Sequence, residues 1–132
     1  LSGGGDPYCR AAFPWQNEAG WDKDLLAFYR SVIALRKAYP ALQTGDYALL
    51  QAEGNTLAYS RRLGGQSLIA AFNAGGPPVQ FSISAGALWG FSAQDFRIAW
   101  PEVTQARLQV REGGLHLELP AQSGLVLAAG AP

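Results

Sequence analysis

One stretch, residues 22–39, constrains this chain more than any other because it has the pattern of an amphipathic helix. Apolar side chains recur there at steps of three and four residues: Leu25, Phe28, Tyr29, Val32, Leu35 and Tyr39, and Leu26 and Ile33 widen this stripe. Asp22 is placed to cap the first turn, and Pro40 prevents the helix from continuing. Burying five or six such side chains would contribute on the order of 10 kcal/mol. The helix therefore needs a partner surface, and that surface decides the fold.

After the helix the pattern changes from a helical period to a period of two, with turn residues about every eight to twelve positions. Seven strands are predicted, at 47–52, 56–62, 67–74, 79–84, 106–112, 115–119 and 124–128. A further short strand is left open between residues 89 and 100. Gly54-Asn55, Gly64-Gly65 and Gly113-Gly114 are predicted hairpin turns. The predicted fold is mainly β: an irregular loop, one amphipathic α-helix, then an antiparallel β-sandwich of seven or eight strands.

The first twenty residues show neither helical nor strand periodicity. Their glycines and prolines predict a long irregular loop, and such a loop is usually either functional or disordered. The loop carries Tyr8, Phe13 and Trp15, with Trp21 just beyond it, and these are too many aromatic side chains for a disordered tail. We therefore expect this loop to pack against a surface or to bind a ligand.

The amino-acid composition excludes several classes of function. The chain has 132 residues, enough for one domain with a core, and its ten basic and ten acidic residues argue against nucleic-acid binding. No run approaches the roughly 18 apolar residues of a membrane span. Cys9 is the single cysteine, so no disulfide or cysteine metal site forms within one chain, and no metal or cofactor is expected. A reducing, cytoplasmic location is predicted, with secretion left open.

The sequence contains no methionine and begins at Leu1. A complete translation product normally starts with methionine, so we expect a piece of a longer chain, produced either by truncation or by processing.

Two segments carry a family resemblance, GGGDPYCRAAFPW and DLLAFYRSVIALRKAYPALQTGDYALL. They resemble the C-terminal end of α-amylase-family glycoside hydrolases, in particular the neopullulanase and cyclomaltodextrinase branch. The resemblance is specific over residues 3–50 and looser over the strands. It implies that residues 1–40 are the remnant of a (β/α)8 barrel, namely the loop after the eighth strand plus the last helix. Residues 41–132 would be the C-terminal β-sandwich domain, and the loop would lie on the substrate face of the barrel.

The catalytic motifs of that family are not found in the sequence. Retaining members use two carboxyl groups about 5 Å apart, one as nucleophile and one as acid. A third family carboxylate lies in an Asn-His-Asp motif, but the single histidine here, His116, is followed by Leu117. No Arg-x-Asp nucleophile motif occurs either. We therefore predict no catalytic residue in this chain.

A binding contribution is predicted instead. Asp6 and Arg10 match the family's Asp-Pro-x-x-Arg, and the resemblance implies that this pair contacts the hydroxyls of a glucose unit. The alternative is a local ion pair that shapes the loop. Trp15 and Trp21 either stack on sugar rings or anchor the loop, and anchoring is favoured. His116 is predicted to be a solvated residue on the polar side of its strand.

Three functions compete on these observations. The first is a non-catalytic C-terminal domain of an enzyme that hydrolyses α-glucosidic bonds in maltodextrins, cyclodextrins or pullulan; its partners would be the barrel domain and the α-glucan. The second is an independent carbohydrate-binding β-sandwich, and the third is a structural interaction module. The helix favours the first, because a free-standing binding module does not need it. Separated from a barrel, the stripe of helix 22–39 is predicted to fold onto its own sandwich or to form a homodimer.

Overall fold

The computed structural model describes residues 4–6, 9–10 and 12–132. The remaining residues of the predicted N-terminal loop, 1–3, 7, 8 and 11, lie outside the described part. The chain divides into two compact units, Leu1–Arg30 and Ser31–Pro132. The predicted division into 1–40 and 41–132 refers to the architecture of a longer enzyme and stays a prediction.

The predicted helix is present as α1, Lys23–Ala38, which begins in the first unit and ends in the second. Asp22 caps it as expected: its Oδ1 accepts a hydrogen bond from the Leu25 amide at 2.8 Å, and its carbonyl accepts one from Leu26 at 3.0 Å. A short second helix, α2, covers Ala41–Thr44. In the described part of the chain, no helix combines the length and apolarity needed to cross a bilayer.

Eight strands are described, and they form two antiparallel sheets. Their bounds are β1 Asp46–Glu53, β2 Thr56–Leu63, β3 Gln66–Asn73, β4 Val79–Ile83, β5 Arg97–Trp100, β6 Arg107–Arg111, β7 Gly114–Leu119 and β8 Ser123–Ala129. The larger sheet has the order β1-β2-β3-β8-β5 and the smaller one β4-β7-β6. All seven predicted strands are confirmed, and β5 is the strand that the sequence left open.

The main core lies between the two sheets. Leu125 and Leu127 of the larger sheet pack there with Leu115 and Leu117 of the smaller one. A second cluster covers the opposite face of the larger sheet: Tyr39, Ala41, Leu68, Ala70, Val126 and Ala128. Strand β3 is central and contributes to both clusters, because alternate residues of a strand face opposite sides. This double burial explains why its sequence is apolar at every position from Leu68 to Phe72.

The apolar stripe of α1 packs in the second cluster at its C-terminal end. Tyr39 is buried and Leu35 is half-buried, and both pack in the second cluster. Folding of the stripe onto the sandwich is therefore confirmed for these two residues. Other residues of the stripe are more exposed: the exposed fractions of Leu25, Phe28 and Ile33 are 51%, 48% and 50%. All residues of α1 are described, and none of them is fully buried.

Two of the predicted hairpin turns are confirmed, since Gly54-Asn55 joins β1 to β2 and Gly64-Gly65 joins β2 to β3. The third prediction was wrong by one residue. The turn is Glu112-Gly113, with φ angles of 51° and 75°, while Gly114 already pairs with Arg111 in the sheet. Gly114 is needed there for a different reason: a Cβ at this position would lie 2.5 Å from the carbonyl oxygen of Ile83.

Asn73, at the end of β3, joins two loops through its buried side chain. Its amide nitrogen donates to the carbonyls of Pro77 at 2.9 Å and Pro120 at 2.8 Å. Its Oδ1 accepts from the Gly75 amide at 2.9 Å. The side-chain amide is thereby hydrogen-bonded at both ends, which fixes the β3–β4 loop against the turn before β8.

Candidate functional site

The first candidate site is the pair Asp6 and Arg10 in the N-terminal unit. Arg10 Nη2 lies 2.8 Å from Asp6 Oδ2, so the local ion pair is formed. The side chains of Asp6 and Arg10 are 57% and 75% exposed. An exposed pair contributes about 0–1 kcal/mol to stability. Exposure also leaves both groups accessible to hydroxyl groups, and the role in sugar binding stays a prediction.

An aromatic cluster follows this pair in the same unit. The ring centre of Phe13 lies 4.6 Å from that of Trp15 and 5.2 Å from that of Trp21, and the two indoles are 6.1 Å apart. Trp21 Nε1 donates to the Pro14 carbonyl at 3.0 Å, and Lys23 Nζ lies 4.8 Å from the Trp21 ring centre. The three rings therefore anchor one another. Trp15 remains 72% exposed, so much of its indole is accessible.

Other candidates from the sequence have structural neighbours. His116 is half-buried, and its Nδ1 lies 2.9 Å from Ser82 Oγ on the adjacent strand β4, so it is not simply solvated. Cys9 is exposed. Trp100 is half-buried at the edge of the second cluster. Among the described residues, no three His, Cys, Asp or Glu side chains are grouped to hold a metal ion.

The structure brings together one pair that the sequence did not predict. The guanidinium carbon of Arg62 lies 3.8 Å from the ring centre of Trp89, which is half exposed. Trp89 has a φ of 57°, a conformation that is unfavourable for a tryptophan. No local sequence pattern predicts this contact, because the two residues come from distant segments of the chain.

A second feature that the sequence interpretation missed is the contribution of β6 to the polar outer surface of the smaller sheet. The signal was available: in the segment RLQVR of β6, Arg107, Gln109 and Arg111 alternate with apolar residues and are all exposed.

The fold of this chain is similar to part of a solved enzyme. An α-amylase from Geobacillus thermoleovorans, solved with acarbose, superposes with a TM-score of 0.82. The match covers 98% of this chain and 27% of that enzyme, at 18% sequence identity. At this identity the likeness shows the fold alone.

Sequence relatives narrow the class. A cyclomaltodextrinase from a Bacillus species is 44% identical over 75 residues, which is 55% of this chain and 13% of that enzyme. An amylopullulanase from Thermoanaerobacter thermohydrosulfuricus is 42% identical over 62 residues, covering 47% of this chain and 4% of that protein. A debranching enzyme from Nostoc punctiforme is 32% identical with a TM-score of 0.72, covering 92% of this chain and 24% of that one.

These matches confirm the predicted resemblance to α-amylase-family glycoside hydrolases of the cyclomaltodextrinase kind. The chain spans about an eighth of the cyclomaltodextrinase and about a quarter of the debranching enzyme. No protein-family model matches the chain.

Proposed function

We propose that this chain is the non-catalytic C-terminal domain of an α-amylase-family enzyme that hydrolyses α-glucosidic bonds in maltodextrins, cyclodextrins or pullulan. The observation that carries the proposal is its 44% identity to a cyclomaltodextrinase over a segment amounting to 13% of that enzyme. The domain stabilises a catalytic barrel and supplies one loop on the substrate side. In that loop Asp6 and Arg10 bind sugar hydroxyls, and Trp15 is available for stacking on a glucose ring.

The exposed part of the α1 stripe supports contact with a barrel. Leu25 and Phe28 are three residues apart, a helical spacing, and both are about half exposed. Ile33, in the second unit, is also about half exposed. Covering such a half-exposed side chain would contribute about 1 kcal/mol. Contact of the apolar stripe with a protein surface is therefore more favourable than its exposure to water.

A second exposed apolar surface lies within the sandwich unit, on the face of the larger sheet that carries the second cluster. Tyr47, Tyr59 and Phe72 form an aromatic row across β1, β2 and β3, with ring centres 5.3 Å and 6.2 Å apart. Leu49 and Leu57 pair in register with Tyr59 and Phe72, and they are 56% and 40% exposed. Contiguous apolar patches of this kind mark interaction sites in soluble proteins.

A chimera tests the stabilising role. The matching segment of the Nostoc punctiforme enzyme is replaced by this chain, and the double variant Leu25→Glu with Ile33→Glu is compared with Val103→Glu. Val103 is an exposed valine in a loop and serves as the matched control. We expect the chimera to hydrolyse maltodextrin. The double variant should lower its Tm by about 2 °C or more, because two charges replace side chains that the barrel buries, and the control should leave the Tm unchanged. Equal Tm values for both variants would contradict the proposal.

Sugar titration of the chain alone separates this function from its alternative. We expect no release of reducing ends from maltoheptaose, and no saturable change in amide NMR shifts with maltotetraose at millimolar concentration. Saturable shifts at Asp6, Arg10 and Trp15 that are lost in Asp6→Ala would instead favour an independent carbohydrate-binding module. Release of reducing ends would overturn the non-catalytic role.

A further inference from the structure

The outer face of the smaller sheet carries a second candidate site, far in sequence from the N-terminal loop. Its central side chains, which we call the polar face, are Gln80, Arg107, Gln109, Arg111, His116 and Glu118. They come from all three strands of the sheet, β4, β7 and β6. Each is placed there by strand alternation, since the neighbouring residues Leu115, Leu117 and Leu119 of β7 point into the core.

The register sets these side chains in two cross-strand rows. Glu118 pairs with Gln80 on one side and with Arg107 on the other. His116 pairs with Gln109 towards β6. Directly opposed residues in an antiparallel pair have their Cβ atoms about 5 Å apart, so the polar groups of each row are held close together.

The positive charge on this face is not neutralised. Among residues 12–132, neither Arg107 nor Arg111 forms an ion pair, although Arg107 lies opposite Glu118 in register. Arg111 Nη2 donates to Gln109 Oε1, which holds its guanidinium beside Gln109 on β6. Two guanidinium groups face one carboxylate, and the balance favours an anion.

His116 adds a hydrogen-bonding group. Its Nδ1 lies 2.9 Å from Ser82 Oγ. When the serine hydroxyl donates to Nδ1, the ring proton of the neutral histidine is on Nε2, and Nε2 is then a donor. In this tautomer His116, Arg107 and Arg111 all supply N–H groups to the polar face.

The six side chains line a small open pocket of about 70 Å³. This volume is the share of about two water molecules, and it suits one phosphate group. Two larger depressions share lining residues with this pocket: one of about 530 Å³ shares Arg107 and Glu118, and one of about 500 Å³ shares Arg111 and His116. A phosphate group held at the centre could therefore be attached to a larger molecule that extends to either side.

We propose that the polar face binds a phosphate group, with Arg107 and Arg111 as the principal donors and His116 as a third donor. Guanidinium groups match phosphate oxygens in charge and in planar geometry. The group is either inorganic phosphate or the phosphoryl group of a phosphorylated sugar. A neutral glucan fits less well, because the polar face offers no indole or phenyl ring for stacking. Glu118 opposes the bound charge and weakens the site.

The test is a titration of the whole chain with inorganic phosphate, glucose 6-phosphate and maltose at constant ionic strength, followed by amide NMR shifts. We expect saturable shifts of β6 and β7 amides with both phosphates. Arg107→Gln and Arg111→Gln should each weaken binding about tenfold, the change expected for one lost charge-assisted hydrogen bond. Arg97→Gln is the matched control, since Arg97 is exposed on β5 of the other sheet and should leave the affinity unchanged.

Glu118→Gln is the decisive variant, because removing the negative charge should tighten phosphate binding. Unfolding, or the loss of a structural role of Glu118, would weaken binding instead. Tighter binding of glucose 6-phosphate than of phosphate would support the site and identify a phosphorylated sugar as its source. The proposal is overturned if phosphate causes no saturable shift, if Glu118→Gln weakens binding, or if maltose shifts the same amides. The outcome is independent of the proposed barrel contact, which involves none of these residues.

Discussion

At the scale of single residues, Asn73 shows how one polar side chain organises the loops at one end of the sandwich. The side chain is buried, and all three of its hydrogen bonds are made to backbone atoms of Gly75, Pro77 and Pro120. Only an amide has both two N–H donors and a carbonyl acceptor at this position. These three bonds give a physical reason for an asparagine at this position.

We predict that Asn73→Asp lowers the free energy of unfolding by at least about 3 kcal/mol, because the carboxylate cannot donate to the two proline carbonyls and leaves them unsatisfied. Urea denaturation followed by circular dichroism measures this. Asn55→Asp is the control, since it makes the same chemical change at an exposed turn residue. Equal losses in the two variants would mean that the buried hydrogen bonds do not matter.

The Asp6–Arg10 pair shows, also at the residue scale, which part of a site the sequence could predict and which part it could not. The resemblance to the family's Asp-Pro-x-x-Arg motif implied that the two residues act together, and the ion pair is formed. The sequence could not decide between an ion pair and a sugar contact, because both use the same two groups. Because the pair is exposed, hydroxyl groups can reach it, so the ion pair and a sugar contact are both compatible with the structure.

At the scale of elements, the turns were harder to predict than the strands they join. The strands were readable because their period of two reflects one buried and one exposed face. The register of the β6–β7 hairpin depends on a tertiary contact instead: Gly114 is pressed against the Ile83 carbonyl of β4, so the turn shifts back onto Glu112. A glutamate thereby occupies a left-handed conformation that asparagine or glycine adopts at lower cost.

We predict that Glu112→Asn raises the free energy of unfolding by about 0.5–1 kcal/mol, because Asn-Gly is the preferred sequence for two left-handed turn residues. Thermal or urea denaturation provides the measurement. Glu102→Asn makes the same change in a loop where the residue does not have a positive φ, and it should have little effect. A destabilised Glu112→Asn variant would show that Glu112 contributes something other than strain.

At the scale of the whole molecule, the apolar residues divide into those that the chain buries itself and those it leaves exposed. The residues between the sheets and the second cluster are buried within the sandwich unit. The stripe residues Leu25, Phe28 and Ile33 stay about half exposed. A chain that serves as one domain of an enzyme would have this division, because the partner surface belongs to another domain.

We predict that the isolated chain self-associates through helix 22–39, since a second copy can cover the stripe when no barrel does. Sedimentation velocity should show an average mass that rises with concentration. Leu25→Glu with Ile33→Glu should shift the chain towards monomer, whereas Val103→Glu should not. A single monomeric species at every concentration would contradict the prediction.

The sequence by itself determined the local elements and the family resemblance. Periodicity, capping residues and turn residues act over a few positions, so α1 and seven strands could be predicted from neighbours in the chain. Asp6 and Arg10 were found for a similar reason, because they lie four positions apart and one family motif contains both.

Only the tertiary structure decided what depends on residues distant in sequence. The order β1-β2-β3-β8-β5, the one-residue shift at Glu112 and the stacking of Arg62 on Trp89 all require contacts between remote segments. The polar face is another example, since β4 and β6 meet on either side of β7 only in the folded sheet. Strand alternation could show that Arg107 and Arg111 are exposed, but the pairing of strands decided which polar side chains surround them.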